Sequence, residues 1–252
     1  MFSSDTSGLS LTKPSLLYVP GLDGTGRLLH RQPSLHANFN VRCLSYPQDR
    51  VTTYAELAAL AASELEQIGP GVVLAESFGG AVALTLALSR PELIQRLILV
   101  NTFAYFPSRW KIRLCAWLGR FLPHRPSHPA TRGVRGPFFF NHDISAAERA
   151  AFWEKTTGVP MSAMGHRLQL IAGVDLRSSL PSIPIPTLVL IAPNDRVVSP
   201  QAGRELARLL PSARLIERNV SHTALIHPSV DIAQFLADPD LWPTRAEYGN
   251  RE

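Results

Sequence analysis

The sequence predicts an α/β protein built on a mostly parallel sheet with helices on both faces. Short, nearly continuous apolar runs alternate along the chain with segments of helical periodicity, which is typical of a buried parallel sheet. The 252 residues suffice for one large domain, and 45% hydrophobic with 18% charged residues is a globular composition. No apolar run approaches the length of a membrane-spanning helix.

The first part of the chain supplies four predicted strands, separated by helices. Thr53 caps the second of these helices, and Glu56 three residues later completes a capping box. Pro91 ends the third helix. The predicted strands are residues 15–19, 40–46, 72–76 and 97–101, and the predicted helices are residues 27–35, 54–65 and 78–89.

A glycine-rich loop, Pro20 to Gly26, follows the first strand. Its three glycines allow the backbone to approach a ligand closely and to turn its N–H groups inward. The spacing and the lysine of a phosphate-binding P-loop are missing. We therefore interpret this loop as a ligand-facing segment at the carboxyl edge of the sheet, where Asn101 also lies.

The alternation stops between residues 102 and 180, where no strand is evident. Helical stretches are predicted at residues 108–122, from Ser145 with Glu148 at its third position, and at 162–172. A Pro/His/Arg-rich piece, residues 123–137, and three consecutive phenylalanines separate them. The sequence thus predicts a helical cap, residues 103–180, inserted into a core of residues 1–102 and 181–252.

The sheet resumes after the predicted cap. Residues 186–192 and 213–217 are the remaining predicted strands, and residues 201–210 and 228–236 the remaining predicted helices. A turn at residues 193–200 and a loop at residues 220–224 follow the two strands.

Residues 72–84 carry the most informative pattern: an apolar strand, Ser77 at a sharp turn, and then small residues that favour helix. Ala75 and Gly79 flank the serine at two positions on either side, and small side chains there permit a tight strand-to-helix turn. This nucleophile-elbow pattern places the Ser77 hydroxyl at the positive end of the helix. The Phe78 N–H then points to where an oxyanion would form. The alternative is an ordinary helix with a serine N-cap.

A serine hydroxyl becomes a useful nucleophile when a base takes its proton and an acid orients that base. Ser77, Asp195 and His222 occur in this order, and each comes just beyond a predicted strand. We predict that these three residues form a catalytic triad.

Each triad position has alternatives. Asp195 could be a turn former, and His222 a polar loop residue. His227 is a rival base, although it precedes a proline at a helix start. Asp175 and Asp23 are rival acids, but neither follows a strong strand at the right stage of the topology.

The sequence resembles the α/β-hydrolases over nearly its whole length. Residues 194–198 match that family's acid turn, and Ser221-His222 matches its histidine loop. Pro20-Gly21-Leu22 stands where the family usually has His-Gly-x, so the resemblance implies that Leu22 supplies the second oxyanion N–H.

A serine nucleophile excludes the family's dehalogenase and epoxide-hydrolase chemistries, which use aspartate. The resemblance then implies a carboxylic ester hydrolase that forms an acyl-enzyme and needs no metal or organic cofactor. Acyl transfer, thioester hydrolysis and carbon–carbon bond cleavage on the same triad remain open.

A narrower similarity rests on two segments, residues 20–26 and 76–80. Together they are similar to bacterial serine hydrolases and to the hydrolase half of plastid phytyl-ester-synthase-like proteins. This similarity implies a preference for lipophilic esters.

The predicted cap is basic. The stretch from Phe103 to His142 contains no carboxylate and seven cations: Arg109, Lys111, Arg113, Arg120, Arg125, Arg132 and Arg135. Apolar residues recur there at helical spacing: Trp110, Leu114, Trp117, Leu118 and Phe121. In one interpretation this apolar face packs on the sheet and the cations are solvated. In the other, the face belongs to a lid that meets anionic lipid, a membrane surface or an acidic acyl-carrier protein.

Other partners and the compartment are less constrained. The net charge of +5 comes without any nucleic-acid-binding motif, so we expect a small-molecule ester as partner and no nucleic acid. The polar start of the chain lacks the apolar region of a secretory signal, and two distant cysteines suggest reduced thiols. These features favour a cytoplasmic protein.

Overall fold

The computed structural model describes residues 13–118, 129–140 and 144–242. Within them, six strands form one sheet in the order β2-β1-β3-β4-β5-β6, and every neighbouring pair is parallel. The predicted parallel sheet is thus confirmed. The strands are β1 (Ser15–Val19), β2 (Asn40–Cys43), β3 (Gly71–Glu76), β4 (Ile94–Val100), β5 (Thr187–Ile191) and β6 (Ala213–Glu217).

Helices cover both faces of this sheet, as the sequence predicts. The described α-helices are α1 (Pro33–Asn38), α2 (Tyr54–Ile68), α3 (Phe78–Ser89), α4 (Arg109–Leu118), α5 (Pro129–Phe139), α6 (Ala146–Lys155), α7 (Met161–Gly173), α8 (Pro200–Leu209) and α9 (Ile232–Ala237). Side chains of α2, α3 and α8 share one buried cluster with alternate strand residues, and α1 and α9 share a second cluster with the others. Period-two alternation of buried side chains therefore explains the near-continuous apolar strands.

Local signals in the sequence set several helix ends. The predicted capping box of α2 is present: the Glu56 N–H donates to Thr53 Oγ1 at 3.2 Å, and the Thr53 N–H donates to Glu56 Oε2 at 2.7 Å. The Ser145 hydroxyl accepts from the Glu148 N–H at 3.1 Å and caps α6. These bonds satisfy backbone donors that a helix cannot pair internally.

Three predicted elements have the wrong boundaries. The strand predicted through Tyr46 ends at Cys43, because the chain turns towards the glycine loop and the Tyr46 N–H donates to Gly24 O at 2.9 Å. The helix predicted over residues 27–35 is a 3₁₀ turn, Leu28–Arg31, followed by α1, which begins at Pro33. Proline fits the first position of a helix, where no N–H partner exists. The last helix begins at Ile232, where Asp231 caps it, rather than at residue 228.

The largest correction concerns residues 129–139, which form α5 where the composition suggested an irregular piece. Pro129 is again at a helix start. Pro137 is inside the helix, two residues before its end, where the missing N–H costs the helix one hydrogen bond. The helix predicted over residues 108–122 is described as α4 only to Leu118. Arg120, Phe121 and Arg125 lie outside the described residues.

The apolar side of α4 faces outwards. Trp110 is 65% exposed, Leu114 45% and Trp117 51%, while α4 packs against α7. The interpretation that this side packs on the sheet is therefore wrong for these three residues. Exposed aromatic side chains of this size are uncommon on a solvated surface and mark a candidate interaction surface.

The described residues lack two kinds of feature. No helix there has the length and hydropathy to cross a membrane. No group of three or more His, Cys, Asp or Glu side chains there has a geometry suited to a metal ion.

Candidate active site

Ser77 stands at the carboxyl end of β3 in a strained backbone conformation, with φ of 50° and ψ of −121°. A non-glycine residue in this region costs about 1–3 kcal/mol. Three hydrogen bonds hold the turn: the Ser77 N–H donates to Val100 O at 3.0 Å, the Gly80 N–H donates to Ser77 O at 3.1 Å, and the Thr102 hydroxyl also donates to Ser77 O. The surroundings therefore impose the strain and aim the hydroxyl away from the sheet.

The glycines after Ser77 are required by close packing. A Cβ at Gly79 would overlap the carbonyl oxygens of Val19 and Pro20, and one at Gly80 would overlap the Thr102 side chain. The tight turn expected from Ala75 and Gly79 is thus present, and it brings α3 close to the end of β1.

The structure brings Ser77, Asp195 and His222 together. His222 Nε2 lies 3.1 Å from Ser77 Oγ, and His222 Nδ1 lies 2.7 Å from Asp195 Oδ2. The second carboxylate oxygen of Asp195 accepts from the N–H groups of Val197 at 2.7 Å and Val198 at 3.0 Å. The side chains of His222 and Asp195 are 6% and 1% exposed. This arrangement can take a proton from Ser77 and stabilise the resulting imidazolium.

The rival residues lie elsewhere. His227 Nδ1 is 2.7 Å from the Ser229 hydroxyl, and Asp175 pairs with Arg177 at 2.7 Å. Asp23 lies near the site, but its carboxylate accepts from the N–H and hydroxyl of Thr25. None of the three is hydrogen-bonded to His222 or Ser77.

Asn101 links the elements that carry the three residues. Its Nδ2 donates to His222 O at 2.8 Å, and its Oδ1 accepts from the Ala192 N–H at 2.8 Å. The residue has a φ of 46°, which asparagine tolerates better than most side chains. The sequence places Asn101 at the sheet edge, but its hydrogen bonds depend on partners about a hundred residues away, and no local signal predicts them.

The two predicted oxyanion donors flank Ser77. Phe78 is the first residue of α3, so its N–H has no acceptor within the helix. Its buried ring packs on Tyr54 and Tyr46, with ring centroids 5.2 Å and 5.7 Å apart, and this fixes the helix start. Leu22 lines the same cavity as Ser77.

The cavity at Ser77 and His222 is small, about 50 Å³. Its walls come from the glycine loop, α5, α6, α7 and the segment around Ile226, and most of its lining is apolar: Leu22, Leu28, Phe139, Phe152, Trp153, Val159, Met164 and Ile226. Helices between β4 and β5 therefore cover Ser77 on the side away from the sheet. An apolar substituent can enter this cavity without the desolvation cost that a polar group would have.

A family model described as Serine aminopeptidase, S33 (Hydrolase_4) matches residues 46–225. That span includes the elbow, Asp195 and His222. The chain belongs to this family of α/β-hydrolases. The predicted fold family is thereby confirmed, and the protein is a hydrolase of this class.

The hydrolase is similar to two curated proteins in sequence and to one solved structure in fold. It is 27% identical over 236 residues to a RutD protein of Yersinia enterocolitica assigned as a carbamate hydrolase, covering 84% of this chain and 81% of that one. It is 35% identical over 100 residues to chloroplastic phytyl ester synthase 1 of Arabidopsis thaliana, covering 37% of this chain and 14% of that one. The crystal structure of an enol-lactonase from Burkholderia xenovorans matches with a TM-score of 0.79 at 23% identity, covering 90% of this chain and 91% of that one.

The hydrolase also buries a carboxyl group beside the candidate nucleophile, which sequence reasoning did not single out. Glu76 is 9% exposed, accepts from the Tyr18 hydroxyl, and lines the cavity. Burial is the main cause that raises the pKa of Glu76 to about 7, and its hydrogen bond with Tyr18 opposes that rise. Both protonation states of Glu76 are therefore populated near neutral pH.

We expect the stability of the hydrolase to fall as pH rises through the pKa of Glu76. Between the unfolded pKa of 4.5 and the folded value of about 7, the folded state binds more protons. Unfolding free energy therefore decreases with pH, by on the order of 2 kcal/mol between about pH 5.5 and 8.5. Glu76→Gln, which keeps an acceptor for Tyr18, should remove most of this slope in urea unfolding measured at several pH values.

Glu148→Gln is the control for that measurement. The hydrogen bond from Arg31 lowers the pKa of Glu148, so its contribution to stability is lost only at more acidic pH. This variant should keep the wild-type slope between about pH 5.5 and 8.5. An unchanged slope in Glu76→Gln would contradict the assignment to Glu76.

Proposed function

We propose that the hydrolase cleaves carboxylic esters through a covalent acyl-enzyme on Ser77. The observation that carries the proposal is the hydrogen-bonded chain from Ser77 Oγ through His222 to Asp195, at 3.1 Å and 2.7 Å, at a strained turn beneath an apolar cavity. Strain of this kind persists where the surrounding structure maintains it for function.

The reaction would run in two halves. His222 Nε2 takes the Ser77 proton as Oγ attacks the ester carbonyl, and Asp195 stabilises the imidazolium. The N–H groups of Leu22 and Phe78 receive the negative charge on the carbonyl oxygen. His222 then gives its proton to the leaving alkoxide, which departs as an alcohol and leaves the acyl group on Ser77. In the second half, His222 takes a proton from water as the water oxygen attacks the acyl carbonyl. His222 then returns the proton to Ser77 Oγ, and the carboxylic acid is released.

We further propose that the preferred esters are lipophilic and that residues 103–180 act as a cap on the core. The apolar lining of the cavity supports the first point. The cavity volume of about 50 Å³ is well below the roughly 300–1,000 Å³ of typical ligand pockets. A long acyl chain can enter only if the roof, formed by α5, α6 and α7, moves.

A specific observation favours acyl transfer as a second candidate. The relative at 35% identity is named phytyl ester synthase, a name that denotes ester formation. In that case an alcohol would replace water in the second half of the reaction. The two candidates share the acyl-enzyme and differ only in what resolves it.

A 4-nitrophenyl ester series from acetyl to palmitoyl tests the proposal. We expect kcat/KM to rise with chain length, because longer chains bury more apolar area, by about 0.8 kcal/mol per buried CH₂ at most. A 4-nitrophenyl carbamate and a nitroanilide of matched size are the controls, since the relative assigned as a carbamate hydrolase cleaves a different bond. Faster turnover of the carbamate or anilide than of every ester would contradict ester hydrolysis.

Two additional experiments test acyl transfer and binding to an anionic lipid surface. An added long-chain alcohol should yield a new ester if acyl transfer operates.

Palmitoyl ester presented in anionic and in neutral vesicles tests whether exposed Trp110 and Trp117, beside Arg113, contact an anionic lipid surface. We propose that they do, and the anionic preference should then weaken as salt increases. Equal rates of hydrolysis in anionic and neutral vesicles would contradict the proposal that this surface binds anionic lipid.

A further inference from the structure

Arg167 on α7 is buried to an unusual degree for an arginine. It is 2% exposed and is among the largest fully buried side chains of the described residues. No carboxylate in the described ranges is close enough to form an ion pair with it. A buried charge is costly unless hydrogen bonds compensate it, so its partners indicate why it is there.

Those partners are backbone carbonyls of two loops. Arg167 Nη1 donates to Leu22 O at 2.8 Å and to Asp23 O at 2.9 Å, and Nη2 donates to Pro47 O at 3.0 Å. The guanidinium also lies over the Tyr46 ring, 5.3 Å from its centroid. A guanidinium is planar and always charged, so it can hold several carbonyls in one fixed geometry.

The glycine loop is built to accept this contact. Gly24 has a φ of 65°, and a Cβ there would lie 2.9 Å from Arg167 Cζ. The Gly24 N–H donates to Gly21 O at 3.1 Å. This bond and those to Arg167 use the carbonyls of Gly21, Leu22 and Asp23. The Leu22 N–H takes part in none of them.

We infer that Arg167 is a positioning residue for the oxyanion site: by fixing the carbonyls of Leu22 and Asp23 it orients the Leu22 N–H towards the Ser77 reaction centre. The inference rests on the proposed ester hydrolysis. It also gives α7 a double role, because Met164, one turn before Arg167, lines the cavity. One helix of residues 103–180 thus contacts both the acyl cavity and the loop that carries an oxyanion donor.

Arg167→Met and Arg167→Lys test this role with soluble 4-nitrophenyl butyrate. Loss of one oriented oxyanion donor costs roughly 10²–10³ in kcat, and we expect about 10² for Arg167→Met with KM changed less than about threefold. The inhibition constant of a trifluoromethyl ketone, whose adduct with Ser77 carries the oxyanion, should rise by a similar factor. Arg167→Lys can reach fewer carbonyls and should lose about tenfold, between wild type and Arg167→Met.

His166→Gln is the matched control. His166 neighbours Arg167 on α7 and contacts the adjoining loop, with Nε2 2.6 Å from Thr52 O, but it makes no hydrogen bond to residues 20–26. It should lower the melting temperature without changing kcat or ketone affinity. Equal kcat losses in His166→Gln and Arg167→Met at similar stability would overturn the inference.

Two further outcomes are decisive. If Arg167→Met does not fold, a folded Arg167→Lys with wild-type kcat and ketone affinity overturns the positioning role. Failure of the proposed function looks different, because wild-type protein would then neither turn over the butyrate ester nor form an adduct with a fluorophosphonate.

Discussion

Replacement of Ser77 by alanine is expected to lower kcat for ester hydrolysis by roughly 10⁴–10⁶-fold, because the acyl-enzyme can no longer form. The fold should survive. Alanine has the same backbone restriction as serine at the φ of 50°. Among the described residues, the Ser77 hydroxyl is hydrogen-bonded only to His222. Circular dichroism and the melting temperature should therefore remain near wild type.

Intact-mass analysis after fluorophosphonate treatment gives the second readout. Wild-type protein should gain one adduct, and Ser77→Ala none. Ser63→Ala, a change at an exposed serine of α2, is the control and should label and turn over normally. Labelling of Ser77→Ala at full stoichiometry would show that another residue is the nucleophile.

Asp195→Asn is expected to cost on the order of 10⁴ in kcat, by analogy with other triads. The hydrogen bonds explain the size of the effect. Asp195 Oδ1 accepts from the N–H groups of Val197 and Val198, so the oxygen of an asparagine amide would stay on that side. The NH₂ group would then face His222 Nδ1 and require that nitrogen to accept. The ring proton would lie on Nε2, which could no longer take the proton of Ser77.

Asp175→Asn is the matched control, since Asp175 is a rival acid that pairs with Arg177 away from the site. It should retain near-wild-type kcat. Normal activity in Asp195→Asn together with a large loss in Asp175→Asn would move the acid and contradict the proposed triad.

The sequence by itself determined the features that depend on neighbouring residues. Periodicity and continuous apolar runs predicted the strands and most helices, since burial on both faces leaves no polar alternation. Small residues at Ala75 and Gly79 predicted the elbow at Ser77, because only they fit a turn so close to β1. The chain order of Ser77, Asp195 and His222, each after a strand, predicted their meeting, since parallel strands end at one edge.

Tertiary structure alone decided what depends on distant partners. Arg167 reads in sequence as an ordinary helical cation, yet it meets Leu22 O and Asp23 O across about 145 residues of chain. Glu76 is the last residue of the buried strand β3, but its raised pKa arises from the side chains that exclude water around it. The tightness of the cavity at Ser77 is likewise set by packing of α5, α6 and α7. Burial and backbone hydrogen bonding between remote segments are properties of the folded chain, and local composition does not encode them.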